Sequence, residues 1–243
     1  MNLTSLPKII LRLYLFLIIL GIIKILTPDV FLFNTYLKSS LVIDIFVLNF
    51  SIVFVFYKLY REIILNGIPR SHSDKNVITY SSYLLLASLY FFGTSYGIYY
   101  ISNLIDDYLT THDPLVYFYD EILGHTLIYM SVAIAVLALT ILQFYYPSRE
   151  EMTRNDVLIF SILSVPMSLF AGYSVIEGQS VPLGYIASIS YLIITFVFSR
   201  YFKLDLRRCP FVLLTLFFSI GLFFVLSIYG IVFNGWPQPS TFN

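Results

Sequence analysis

Residues 113 to 129, DPLVYFYDEILGHTLIY, put Asp120, Glu121 and His125 within two helical turns of a stretch that is otherwise largely apolar. Tyr117, Glu121, His125 and Tyr129 recur every four residues. Steps of four drift by only about 40° each on an α-helix, so these side chains form one slanted stripe of hydroxyl, carboxylate, imidazole and hydroxyl. Glu121 and His125 would stand on adjacent turns, close enough to hydrogen-bond or to hold one metal ion together. Asp120, Glu121 and His125 are therefore the catalytic candidates, with Glu121 as general base or metal ligand and His125 as ligand or acid. The competing reading is structural: carboxylates near a helix N-terminus and a packing histidine bonded to Glu121 or a tyrosine.

A second stripe precedes the first. Tyr96, Tyr100, Asn103 and Asp107 stand at offsets of four, seven and eleven, again on one face. Tyr96, Tyr100, Asn103, Tyr117 and Tyr129 are the candidate substrate contacts. The short connection SNLIDDYLTTHDP adds His112, and Asp44 lies within an earlier apolar run. His125, Glu121, His112, Asp107 and Asp44 together are the donors from which a divalent metal site could be drawn. Acidic loops that lack positive charge are equally an ordinary solvated surface.

The elements that must position these residues are membrane helices. The chain is 58% hydrophobic and 12% charged, with a mean hydropathy of +0.84. A soluble domain is about 45–50% apolar and about 25% charged, so the composition is that of an integral membrane protein. Seven apolar runs are long enough to cross about 30 Å of hydrocarbon, at about 8–27, 40–60, 78–105, 115–146, 157–176, 183–202 and 210–233. The expected fold is a single polytopic, all-α domain over residues 1–243, a bundle of about seven transmembrane helices. Pro28, Pro69, Pro147, Pro182 and Pro210 fall at run ends, where a missing N–H costs least. Pro166 lies inside the fifth run and predicts a kink, with Ser161, Ser164 and Ser168 nearby to satisfy freed carbonyls. Gly93 and Gly97 form a GxxxG pattern that would let a neighbouring backbone approach.

Lysine and arginine set the expected orientation. Lys8 and Arg12, then Lys58, Arg61, Arg70 and Lys75, then Arg149 and Arg154, then Arg200, Lys203, Arg207 and Arg208 all fall on one side if seven spans alternate. Lys24 and Lys38 alone are left on the other. The N-terminus is thus expected in the cytoplasm and the C-terminus outside, most simply in the cell membrane. On the external side collect Asp29, Asp44, Asp106, Asp107, Asp113, Asp120, Glu121 and Glu177, with His112 and His125. Counting about twenty residues back from Tyr145 and Tyr146 reaches Thr126, so His125 would sit at the outer edge of the hydrocarbon. The tail NGWPQPSTFN reads as irregular, with Trp236 an interfacial anchor.

Several functions are set aside by composition. Fourteen basic and fourteen acidic residues give no reason to expect nucleic acid, and one cysteine excludes an intrachain disulfide or a multi-thiolate zinc site. A retinal-binding rhodopsin needs a lysine in its last span, and residues 210–233 have none. Nor does that span carry the HxxxH of the alkaline-ceramidase and adiponectin-receptor superfamily. Three readings stay open. One is an intramembrane enzyme with an acid–base or metal site opening to the external leaflet, acting on a lipid-like substrate by hydrolysis or proton transfer. Another is a transporter or channel for a cation or small solute, and the third a non-catalytic subunit of a larger membrane complex. Membrane lipids and other membrane subunits are the expected partners.

Overall fold

The computed structural model describes residues 5–27, 42–70, 74–108 and 114–239. Helix α1 is Leu6–Leu26, and α2 is a π-helical turn, Asp44–Asn49, continuing as Phe50–Asn66. Helices α3 (Asp74–Tyr108) and α4 (Pro114–Tyr145) follow, then α5 (Arg154–Glu177), α6 (Val181–Phe202) and α7 (Pro210–Val232). A second π-helical turn, Phe118–Gly124, interrupts α4. No β-strand occurs among the described residues; Gly67 and Ser148 form an isolated antiparallel bridge.

All of these helices but α2 are long and apolar enough to cross a membrane, six in number. The regular part of α2 is 17 residues, and the start of the run expected at 40–60 lies outside the described residues. That run is also displaced: α2 continues to Asn66 and α3 already begins at Asp74. The stretch expected as a loop at 61–77 is therefore mostly helix. Polar residues such as Arg61, Glu62 and Asn66 end the apolar run without ending the helix, because Glu62 pairs with Lys58 at 2.7 Å and accepts from Asn66 at 2.9 Å.

Why α3 and α4 pair is written in their small residues. Helix α3 buries Ser81, Leu85, Ser88, Phe92, Ser95 and Ser102, and α4 buries Gly124, Ile128, Ser131, Ala135, Ala138 and Leu142. Steps of four and three alternate in both, the 3.5-residue period of a left-handed, knobs-into-holes seam. Serine recurs every seventh residue on α3, and Gly124, Ser131 and Ala138 do so on α4, which allows close approach in lipid. Ser88, Ser95 and Ser131 donate back to carbonyls of their own helices, so their hydroxyls are not stranded. The close contact falls at Gly124, where a Cβ would meet the Tyr99 Cβ at 3.2 Å and its Cα at 3.3 Å. Gly93 and Gly97, the expected contact, have nothing within 4 Å of a Cβ.

Helix α7 packs on α5 and α6 by the same device. A Cβ on Gly221 would collide with Ser168, whose hydroxyl donates across the interface to Phe218 O at 3.0 Å. Helix α5 runs continuously through Pro166; Ser161, Ser164 and Ser168 bond the carbonyls of Leu158, Ser161 and Ser164.

The connections after α2, α4 and α6 meet at one end. Ile68 N–H donates to Pro147 O, Ser148 N–H to Arg208 O and Met152 N–H to Arg207 O. Arg70 donates to Phe202 O and lies over that ring at 5.2 Å. Buried Gln143 accepts from Val212 N–H, one of the otherwise orphaned donors in the first turn of α7. Thr153 and Asp156 form a reciprocal capping box that starts α5. Leu6 and Ile10 share a core with Ile63, Leu142 and Met152, which brings the start of α1, with Lys8 and Arg12, to this same basic end.

Candidate functional site

The opposite end holds Asp44, Asp120, Glu121 and Glu177, and both π-helical turns lie there. One carries Asp44 and the other Asp120 and Glu121. A π turn shifts the phase of the helix, and such turns recur at functional sites. In α4 the shift sends Asp120 inward. It is 8% exposed and its Oδ1 accepts from Asn103 Nδ2 at 2.7 Å. The second amide proton of Asn103 goes to Tyr99 O at 3.1 Å. Asn103 of the second stripe thus reaches α4 at Asp120, a residue outside the 117/121/125/129 stripe.

His125 sits between aromatic rings. Tyr99 of α3 meets it edge-on with ring centroids 4.8 Å apart, and Tyr129 stacks at 6.0 Å. Its Nδ1 lies 3.2 Å from the Glu121 carbonyl oxygen and 3.7 Å from Glu121 Oε2. A carbonyl only accepts, so Nδ1 bears the proton and the lone pair of the neutral ring is on Nε2. No described residue bonds Nε2. The turn between α5 and α6 closes on this ring: a Cβ at Gly178 would lie 2.7 Å from His125 Cγ. Glycine is required there by contact, while next to it Gln179 takes a positive φ of 48°.

The tail supplies the remaining wall. Gly235, at φ 144°, lets the chain reverse. Trp236 Nε1 then donates to Leu226 O at 3.0 Å, and its ring packs where a Cβ on Gly230 would lie. The reversal delivers Gln238 to the site, where Nε2 donates to Glu177 O at 2.7 Å and approaches Glu121 Oε2 at 3.5 Å. Gln179, Val181, Pro182, Trp236, Pro237 and Gln238 line an open surface cavity of about 470 Å³. Gln238 separates that cavity from the Glu121–His125 pair.

The other expected site residues fall as follows. Tyr117 receives a hydrogen bond from Gln179, and Tyr129 donates to Ser174 O at 2.6 Å, so both hydroxyls tie helices together. Tyr96 and Tyr100 pack on each other and on Tyr99, with Asp44 in electrostatic reach of all three. Tyr100 is buried and its hydroxyl has no hydrogen-bond partner among the described residues. His112 and Asp113 lie outside the described residues, as does the side chain of Asp107. Among the described residues no three His, Cys, Asp or Glu side chains are grouped to hold a metal ion. Gly178, Gln179 and Gln238 were not expected at the site; the Gly-Gln pair between two apolar runs and the Asn-Gly before Trp236 are the turn signals that point to them.

The arrangement has an imidazole whose Nε2 no described residue bonds, a carboxylate beside it, and a cavity one side chain away. No protein-family model, curated protein or solved structure matches this chain.

Proposed function

We propose that this chain is a seven-span membrane enzyme of the cell membrane, N-terminus in the cytoplasm. Its acid–base site opens to the external leaflet and acts on a lipid-like substrate. The observation that carries the reading is the hydrogen bond from His125 Nδ1 to the Glu121 carbonyl, which leaves Nε2 as the base. In the step envisaged, Nε2 takes a proton from water or a substrate hydroxyl and later returns it to the leaving group. While the ring is cationic, Nδ1–H stays on the carbonyl and the Glu121 carboxylate lies 3.7 Å from the charge. Glu121 is then the positioning and charge-stabilising residue rather than the base.

The test is reconstitution of wild type and His125→Gln in vesicles of mixed lipids, with the lipids profiled by mass spectrometry before and after incubation. A product formed by wild type and absent with an equally folded His125→Gln supports the reading. Identical profiles for the two overturn it. A second reading, passage of a cation or small solute, draws on the Thr140, Ser188 and Ser219 hydroxyls and Gln143 Nε2, buried groups with no hydrogen-bond partner among the described residues. Such groups are where ordered water would sit. Cation flux into vesicles that is retained by His125→Gln would favour it.

A further inference from the structure

We propose that the core shared by α4, α6 and α7 binds a file of buried water in the half of the bundle nearer the basic end. This site is separate from His125, and neither reading of the function is needed for it.

Three helix faces converge there. Helix α7 buries Val212, Thr215, Ser219 and Leu222, and α6 buries Ser188, Tyr191 and Thr195. Both runs alternate steps of three and four, the period of a left-handed bundle seam. Helix α4 adds Thr140 and Gln143, both 0% exposed. Two contacts fix the register. Gln143 Oε1 accepts from Val212 N–H at 3.0 Å, and a Cβ on Gly184 would lie 2.9 Å from Leu226 Cδ1. Helix α7 runs against the other two, so Thr140, Thr195 and Thr215 share one level, about 4.5 Å along the bundle from Gln143. Ser219 follows at about 10 Å and Ser188 at about 15 Å.

The hydroxyls of Thr140, Ser188 and Ser219 and the Nε2 of Gln143 are four of the six buried polar groups without a hydrogen-bond partner among the described residues. The unmet demand is therefore concentrated in this one core. Left unbonded, each such group weakens the fold, and water removes that cost. Successive levels are about 4.5–6 Å apart, and two hydrogen bonds of about 2.8 Å through one oxygen reach about 5.6 Å, so one water per interval joins them. Chemistry selects water over an ion. Gln143 Nε2 only donates, so a cation cannot be its partner, and burying an anion costs far more than burying a neutral molecule. The hydroxyls both donate and accept, as water does; Thr215 donates to Phe211 O and keeps its lone pairs. Apolar clusters close both ends: Val181, Leu222 and Leu226 on the His125 side, Phe144 and Val212 at the basic end.

The test is transfer of ¹H polarisation from water to methyl carbons, in protein labelled with ¹³C-threonine and ¹³C-alanine and reconstituted in lipid. The Thr140 and Ala138 signals are identified by their loss in Thr140→Val and Ala138→Ser. Ala138 lies about 3 Å away along α4 but is buried against α3, so it is the dry reference. Transfer to Thr140 is expected to exceed that to Ala138 at least threefold. Gln143→Leu, in protein of unchanged circular dichroism, should bring it down to the Ala138 level. In mixed-micelle unfolding, Thr140→Val should lower the folded-to-unfolded ratio about two- to tenfold, the loss of one hydrogen bond. Removal of a dry, unbonded hydroxyl would instead raise that ratio. Equal transfer to Thr140 and Ala138 overturns the proposal, as does a ratio left unchanged or raised. Transfer that persists in Gln143→Leu overturns the placement of water on Gln143.

Discussion

Asp120 and Asn103 join the two helices that carry the site, and the strength of that joint is calculable. Both protons of the Asn103 amide are assigned, to Tyr99 O and to Asp120 Oδ1, and the Asp120 contact is short at 2.7 Å with the carboxyl 8% exposed. A hydrogen bond to a charged group contributes about 1.5–3 kcal/mol in soluble proteins. Interhelical hydrogen bonds in membrane bundles average about 0.6 kcal/mol and reach about 1.7, because the separated helices find other partners. The short distance and the buried carboxyl place this pair in the upper part of that range, at about 1–1.7 kcal/mol. The perturbation is a double-mutant cycle of Asn103→Ala and Asp120→Ala, read by reversible unfolding in mixed dodecyl maltoside and dodecyl sulfate micelles. The coupling of about 1 kcal/mol corresponds to about fivefold in the unfolding equilibrium. Asp120→Asn keeps an acceptor oxygen but not the charge, and should lose about half of it. Additivity within about 0.3 kcal/mol would mean that the contact couples nothing and that Asn103 and Asp120 do not join the two helices.

Other perturbations have equally definite outcomes. Gly124→Val drives a branched side chain into the Tyr99 backbone and Tyr119 O, and should destabilise the bundle by about 1–3 kcal/mol in the same unfolding assay; Gly93→Val, facing open space, should not. Thr153→Ala removes the capping box of α5 and should cost about 1 kcal/mol, seen as faster amide exchange in the first turn of that helix. The Arg207 guanidinium beside Asp205 holds that carboxyl below the ordinary aspartate range. Its folded value being the lower, the clasp is fully present above the unfolded value of about 4 and is lost as pH falls below it. The protection factor of the Met152 amide, which donates to Arg207 O, should therefore fall as pH drops below about 4, and Asp205→Asn should abolish that pH dependence.

Much of the helical architecture was legible because lipid imposes a length and an apolar composition on each span, and proline marks the ends. The ends of α2 and α3 were not, since Glu62 and Asn66 satisfy each other and Lys58 inside a helix that composition alone would have ended. The pairing of α3 with α4 follows from a short connection, yet the contact glycine was misplaced. GxxxG is a spacing of four, whereas the seam here is a spacing of seven, visible in Ser81, Ser88, Ser95 and Ser102 once the 3.5-residue period is sought. At the site, Glu121 and His125 are where a helical stripe puts them, and Asn103 reaches α4 as the second stripe requires. The roles differ from the stripe model because a π turn, which no residue type announces, turns Asp120 inward and sets the Glu121 carbonyl on His125. Tyr117 and Tyr129 face the right way but use their hydroxyls to hold Gln179 and Ser174. The described part of the tail is irregular, as its composition implies, and a glycine at positive φ and an indole hydrogen bond fold it back over the cavity.

The proposed function requires His125 to be a neutral ring with its proton on Nδ1. The direct measurement is the ¹⁵N spectrum of the histidine ring in ¹⁵N-histidine-labelled protein in lipid, with the His125 signals identified by their loss in His125→Gln. A protonated Nδ1 and an unprotonated Nε2 at neutral pH are the predicted result. A proton on Nε2 with a bare Nδ1 would contradict the hydrogen bond to Glu121 and, with it, the base assigned to this site.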